Sequence, residues 1–234
     1  MSAKLRVNEL AFNQRVMKKI LFTILLICIY CSNPFAQSNI TGEEYGVYDA
    51  VLKSRYMKIH KQQGVKVSFV ILEDTVKLDF VPSGYPKKKT LLDYSNERIN
   101  GYSEDLLKDF REKNKFSISL EKQSPTEYQY NIVSKDEIDK LFEEGKKEQS
   151  EYSKKCNPCS WHNGFVWQPL QRKYPNNAGY SKFSRVGFSS DNRFALVYID
   201  TESAGHGDSS FYVLEKADGK WKIRENIWVT GWDT

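Results

Sequence analysis

The chain has 234 residues, four of them cysteine, with 35 Lys or Arg against 30 Asp or Glu and a net charge of +5. The basic surplus lies at the front, because residues 1–36 hold five basic side chains and one acidic side chain. The remainder carries 30 basic and 29 acidic side chains. A nearly neutral chain gives no electrostatic reason to expect nucleic-acid binding, and its length suits one ordinary hydrophobic core.

The front of the chain is typical of a secretory signal peptide. Two lysines follow Met17, an uncharged apolar run covers Ile20–Tyr30, and the small residue Ala36 precedes Gln37. A charged start, a short apolar segment and a small-residue exit define such a leader. The run is shorter than the roughly 18 residues that a membrane-spanning helix needs, so we expect no transmembrane anchor after processing. We predict residues 1–36 as the leader, with the true start at Met17.

Lipid attachment is the alternative outcome of this leader. Cys28 and Cys31 lie in or beside the apolar run. A lipoprotein leader places a small residue before the modified cysteine, whereas Ile27 and Tyr30 are bulky. Cleavage without a lipid anchor at Cys31 is therefore the favoured prediction, and it places the protein in the periplasm, the outer envelope or the surrounding medium.

Residues 37–142 alternate between helical and strand-like patterns. Capping boxes at Thr41–Glu44 and Ser134–Glu137 each predict a helix start, and Ser103 caps a short helix between them. The other segments are predicted strands, because they are rich in β-branched residues or alternate apolar with polar residues: 65–72, 76–80, 116–120 and 128–133.

A charged stretch near 143–155 is predicted to connect the two halves of the chain. Beyond it, Pro169 suits the first turn of a short helix. Four strand-like runs follow, and the turns between them favour successive hairpins: 182–188, 193–200, 210–216 and 220–232. We therefore predict one α+β domain over 37–234, with an antiparallel sheet that ends in a four-stranded meander packed by several short helices.

Two cysteines, Cys156 and Cys159, remain after the leader, in the sequence CNPCSWH. Export to an oxidising compartment predicts that they form a disulfide. A thioredoxin-like redox pair is the first alternative, but its motif follows an apolar strand and the lead-in here is charged. A zinc site with His162 is the second alternative, and it lacks a fourth ligand.

The segments YPNNAGYSKFSRVGFSSDNRFALVYID and FYVLEKADGKWKI resemble a set of exported bacterial proteins from Bacteroidetes-like genomes. These proteins end in the succession SRVGF, ALVYV and LEK-x-GKW, and the likeness is specific over Tyr174–Trp228. It implies an exported location and this fold, and it implies no activity. Many relatives carry a cysteine pair between the second and third meander strands, where this chain has ESAGHGDSS.

That connection holds the candidates for catalysis: His206, Asp208 and Ser209. A hydrolase would use His206 as the general base and a serine as the nucleophile, which requires an oriented triad. A metal site is an alternative, with Asp200 or Glu202 as further ligands. The simpler interpretation is a loop whose Gly, Asp and Ser serve turn geometry.

Arg185 is the candidate for binding, because it lies within the apolar run SRVGF. A charge in such a run either faces solvent or is paired internally. Pairing with Asp200 or Glu215 would make it structural.

The sequence predicts an exported, non-enzymatic domain that binds a protein, peptide or glycan partner and needs no cofactor. The alternatives are a secreted hydrolase or metal-dependent enzyme built around His206 and Asp208, and a thiol oxidoreductase at Cys156 and Cys159.

Overall fold

A mixed sheet organises the part of the chain that the computed structural model describes, residues 39–63, 67–80, 82, 90–99, 102–121, 130–155 and 164–233. The sheet runs in the order β2–β1–β3–β5–β6–β7, and β4 pairs with β5 alone. Its strands have these bounds: β1 Ser68–Leu72, β2 Tyr130–Val133, β3 Asn177–Phe183, β4 Gly187–Phe188, β5 Phe194–Ser203, β6 His206–Ala217 and β7 Lys220–Asp233. All of these strands belong to the compact unit Ile40–Thr234.

The α+β class is confirmed, but the expectation of a purely antiparallel sheet is wrong. Strand β1 pairs in parallel with both β2 and β3. Parallel neighbours need long connections, and the β1–β2 connection contains two helices. The C-terminal strands β3, β5, β6 and β7 pair in antiparallel succession, as the meander prediction requires. The bounds of its first predicted strand, 182–188, are wrong, because this segment is divided between the end of β3 and the short strand β4.

Five helices lie within the described residues: α1 Gly42–Gln63, α2 Leu91–Arg98, α3 Glu104–Lys113, α4 Lys135–Lys155 and α5 Gly164–Lys173. The capping box that starts α1 is present, since Thr41 N donates to Glu44 Oε2 at 3.0 Å and Glu44 N donates to Thr41 Oγ1 at 3.3 Å. Half of the second box is present, where Glu137 N donates to Ser134 Oγ at 3.2 Å.

Several predicted boundaries are wrong. The charged stretch 143–155 is helical and continues α4, because this helix packs on α5 with Gly145 against the backbone of Val166. Pro169 is the sixth residue of α5 and not part of its first turn. Segments 76–80 and 116–120 contribute only isolated bridges. Helix α2 has no counterpart in the sequence prediction.

Both faces of the sheet are buried. Helix α1 covers one face, called the α1 face here, and packs on apolar residues of β1, β3, β5 and β6: Phe69, Ile71, Phe183, Ala195, Val197, Ile199, Tyr212 and Leu214. On the opposite face, α2 and α3 cover the β5–β7 side and α4 and α5 cover the β1–β3 side. The apolar side chains of the two faces alternate along β5, as a strand buried on both sides requires.

The short strand β4 passes very close to helix α3. A Cβ added to Gly187 would lie 2.5–2.6 Å from the Cβ, Cα and N of Phe110, whose residue is fully buried. Only a glycine fits this contact without moving the helix backbone.

We predict that Gly187→Ala lowers the free energy of unfolding by about 2 kcal/mol or more, because the helix must move to admit a methyl group. Chemical denaturation measures the change. Gly42→Ala is the matched control, since a Cβ at Gly42 meets nothing within 4 Å. Equal stability of the two variants would show that β4 and α3 are not in this contact.

Candidate functional site

His206, Asp208 and Ser209 lie in strand β6, and the expectation that they occupy a flexible loop is wrong. Strands β5 and β6 remain paired up to Ser203 and His206, so only two residues join them. The second of these, Gly205, has a φ of 81°, a value that suits a tight hairpin.

The two faces of β6 separate the three residues. Side chains alternate along a strand, so Asp208 points to the α1 face and Ser209 to the opposite one. The contacts agree: Asp208 accepts two hydrogen bonds from Arg55 of α1, at 3.0 and 3.3 Å, whereas Ser209 Oγ donates to Asp200. His206 shares its face with Asp208, so these side chains do not assemble into a Ser–His–Asp triad.

Asp208 links the sheet to helix α1 through an ion pair. It binds the Arg55 guanidinium through both carboxylate oxygens, while His206 Nε2 lies 3.9 Å from Asp208 Oδ1. Burial acts to lower the pKa of Arg55, but the carboxylate outweighs it and raises that pKa. The His206 side chain is 56% exposed. The geometry therefore ties Asp208 to the structure and leaves His206 at the surface.

The proposed metal ligands do not converge either. Asp200 and Glu202 project from the face of β5 opposite to His206 and Asp208. No cluster of three or more His, Cys, Asp or Glu side chains suited to a metal ion occurs among the residues that the structure describes.

Cys156, Cys159 and His162 fall outside the described residues, so their disulfide and metal interpretations stay predictions. Helix α4 ends at Lys155 and α5 begins at Gly164, on either side of them.

Arg185 forms a buried ion pair with Glu44 of helix α1. Arg185 Nε donates to Glu44 Oε1 at 3.2 Å and Nη2 donates to Oε2 at 3.1 Å, and the two side chains are 6% and 0% exposed. Internal pairing was one of the two expected outcomes, but the partner is neither Asp200 nor Glu215. Arg185 therefore presents no exposed charge to a ligand.

The backbone around Arg185 is held by helix α3. Asn114 Oδ1 accepts from Arg185 N at 2.7 Å, and Asn114 Nδ2 donates to Arg185 O at 3.0 Å and to Phe110 O at 2.8 Å. Tyr48 of α1 donates to Ser184 O at 3.0 Å. These hydrogen bonds satisfy backbone N–H and C=O groups where β3 ends and β4 begins, so the residues of the SRVGF motif have a structural role.

A row of four polar residues crosses the face opposite α1. Lys182, Asp200, Ser209 and Thr230 are directly paired across β3, β5, β6 and β7. Asp200, Ser209 and Thr230 are almost fully buried. We call these four residues the polar row.

Lys182 is enclosed by two carboxylates and two aromatic rings. Its Nζ donates to Asp200 Oδ2 at 3.3 Å and to Glu202 Oε1 at 2.8 Å, and lies 5.1 and 5.3 Å from the ring centroids of Phe80 and Tyr180. Burial raises the pKa of the Asp200 carboxyl. Burial also acts to lower the pKa of Lys182, but the two carboxylates outweigh it and raise that pKa.

The polar row is closed to a substrate from outside, because Asp200 and Ser209 are 2% and 1% exposed. Sequence reasoning considered Asp200 and Ser209 but missed Lys182 and Thr230. The row follows from the register of the strands. Without that register, the sequence does not show that residue 182 lies beside Asp200 or that residue 230 lies beside Ser209.

An apolar recess opens between α1 and β2, which is the last strand on that side of the sheet within the described residues, and its cavity volume is about 40 Å³. A water molecule occupies about 30 Å³ in the liquid, so the recess has room for the end of one small apolar group. Tyr45 fixes one wall, because its hydroxyl donates to Glu121 O at 2.8 Å and accepts from Glu121 N at 3.0 Å. The lining residues are Tyr45, Tyr48, Asp49, Leu52, Ile71, Leu120, Tyr130, Ile132 and Phe183.

A wider polar groove lies between α3 and the β4–β5 turn, and its carboxylates are already engaged. Asp105 accepts from Ser190 N at 2.7 Å and Asp109 accepts from Phe188 N at 2.7 Å. The hydrogen bond from Ser190 is the largest cause of a pKa of Asp105 well below its usual range. These acids hold the turn against the helix.

The chain matches no model of a protein family, no curated protein and no solved structure. Within the described residues, no helix combines the length and the apolar character that crossing a membrane requires.

We predict that Arg185→Met lowers the free energy of unfolding by about 3–5 kcal/mol, because it leaves the Glu44 carboxylate buried without its charged partner. Urea titration measures the loss. The matched control is Arg172→Met, since Arg172 pairs with Glu144 and Glu148 at the surface and its loss is expected to leave the midpoint nearly unchanged. Similar midpoints for both variants would contradict the buried pair.

Proposed function

We propose that the protein is an exported bacterial binding domain without catalytic activity, and that it receives an apolar side chain of a protein or peptide partner in the recess between α1 and β2. The observation that carries this proposal is the recess itself: it is open, its lining is almost entirely apolar, and it borders β2, the outermost of the described strands on that side of the sheet. Apolar pockets with few polar groups are the usual form of a ligand site.

Binding is better supported than hydrolysis, because the polar residues that suggested chemistry are engaged elsewhere. Asp208 binds Arg55, Ser209 donates to Asp200, and Arg185 binds Glu44. None of these groups meets His206 in the geometry of a nucleophile and its base.

A peptide in extended conformation suits this location. Strand β2 stands at the end of the strand order, and its Tyr130 and Ile132 line the recess. An added strand bonds to an edge through its backbone and places alternate side chains on one face of the sheet. The size of the recess limits the inserted group to a short apolar side chain.

Export is supported by the leader pattern of residues 1–36 and by the resemblance of Tyr174–Trp228 to exported bacterial proteins. The compact unit begins at Ile40, so cleavage after Ala36 would leave it whole.

To test binding, the chain from Gln37 onward is used to select peptides from a random display library. We predict selected peptides with a short apolar anchor whose affinity falls at least tenfold in Ile132→Glu, since a charge in the apolar recess costs more than about 1.4 kcal/mol. Fluorescence anisotropy measures the affinity.

The control is Ile227→Glu, the same change at a partly buried strand position on the opposite face. Selected peptides that bind wild type and Ile132→Glu equally, or that the protein cleaves, would contradict the proposal.

To test export, the protein is isolated from envelope and medium fractions of the native bacterium. We predict Gln37 as its first residue and no free thiol at Cys156 or Cys159 after denaturation, because the leader is removed and an oxidising compartment joins the pair. N-terminal sequencing and thiol labelling give the two results. An intact leader on a thiol-reduced cytosolic protein would contradict export.

A further inference from the structure

Three reactive groups lie close together inside the fold. The amine of Lys182 is a nucleophile, Asp200 supplies a carboxyl group, and Glu202 can carry a proton. Lys182 and Asp200 are directly paired on β3 and β5, with Nζ 3.3 Å from Oδ2. Glu202 Oε1 lies 2.8 Å from the same Nζ. Reacting groups that a fold holds close together and in a suitable orientation can reach effective molarities of about 10⁵ M or more.

The surroundings favour a neutral product over the ion pair. Asp200 is 2% exposed, the Lys182 side chain is 17% exposed, and the rings of Phe80 and Tyr180 flank the amine. An ion pair in such a place has lost much of its hydration, whereas the amide that replaces it carries no net charge. Burial raises the pKa of Asp200, which favours the neutral acid, the form that an amine attacks.

We propose that Lys182 and Asp200 condense to an intramolecular amide bond, with Glu202 as the proton carrier. Glu202 takes a proton from the Lys182 ammonium, and the freed Nζ attacks Cγ of Asp200. The Nζ–Cγ bond forms and a Cγ–Oδ bond breaks. The departing oxygen leaves as water with the proton of the acid and one proton of the amine. One N–H stays on the amide, and Glu202 keeps the proton that it took from the ammonium.

No oxidant, reductant or activated intermediate is needed, because the step is a dehydration and changes no oxidation state. The chain supplies the driving force by holding the two groups in register and by limiting access of water to the product. Ser209 supports the geometry, since its hydroxyl donates to Asp200 Oδ1 and leaves Oδ2 facing the amine.

The amide would be a covalent cross-link between the neighbouring strands β3 and β5. It closes the chain between residues 182 and 200, and a cross-link of this kind stabilises a fold by restricting the unfolded chain. It goes beyond the proposed binding function and does not depend on it, because the polar row and the recess lie on opposite faces of the sheet.

The experiment is intact-mass spectrometry of the folded mature protein after reduction and denaturation. The expected mass is about 18 Da below that of the sequence, one water having been lost in the condensation. Trypsin should then release a branched peptide in which residues 174–185 are joined to residues 194–216, with no cleavage after Lys182.

Three variants define the chemistry. Lys182→Arg keeps the positive charge but offers no primary amine, so it should show the full sequence mass. Glu202→Gln should form the amide at least about 100-fold more slowly, since it cannot carry the proton. Lys216→Arg is the control, because Lys216 pairs with Glu43 at the surface and the tryptic site is kept, and it should retain the loss. Circular dichroism confirms that each variant is folded.

Two results would overturn the proposal. The first is wild-type protein at its full sequence mass. The second is a water loss that maps to Asp218–Gly219, where a succinimide forms in place of a cross-link and mild base restores the lost mass.

Discussion

The buried pair of Glu44 and Arg185 is the interaction on which the arrangement of this fold depends. It joins the first turn of α1 to the point where β3 gives way to β4, across 141 positions of sequence. Each oxygen of Glu44 accepts a second hydrogen bond, Oε2 from Thr41 N and Oε1 from Val186 N. A charge pair placed in an apolar interior is tolerated only when its remaining hydrogen-bonding capacity is filled in this way. One carboxylate thereby links the start of helix α1 to the break between β3 and β4.

Helix α3 completes that junction from the other face of the sheet. Asn114 binds both backbone groups of Arg185, and Gly187 allows the chain to pass against Phe110. The residues of the motif SRVGF from Ser184 to Gly187 thus make contacts that hold this junction together.

Sequence patterns predicted what depends on local chemistry. The capping box at Thr41–Glu44, the α+β class and the antiparallel meander all follow from nearby residues, and all three are present. The sequence did not predict that Glu44 is the partner of Arg185. The capping box already accounts for Glu44, and no nearby residue indicates that it also forms an ion pair. The helical character of 143–155 was missed for a similar reason: its packing surface is the later helix α5, with Gly145 as the contact.

The connection between β5 and β6 was predicted to be longer than it is, and this error in strand length changes which side chains lie on the same face of the sheet. Extending the pairing to Ser203 and His206 places Asp208 and Ser209 on opposite faces, and a cluster that looked catalytic in sequence is divided by the sheet. Asp208 and Ser209 then take part in contacts that hold the fold together, and the proposed binding site is an apolar recess that no sequence motif indicates. Apolar recesses arise from the packing of distant elements, here α1 with β1, β2 and β3, so they leave little trace in a single sequence.

Hydrogen exchange of the mature protein, with and without a peptide selected against it, tests the location of that function most directly. Bound peptide should slow amide exchange in the first half of α1 and in β2, and leave the β5–β6 hairpin unchanged. Slower exchange at Ser203–Asp208 with none at β2 would place the function at the hairpin and contradict this account.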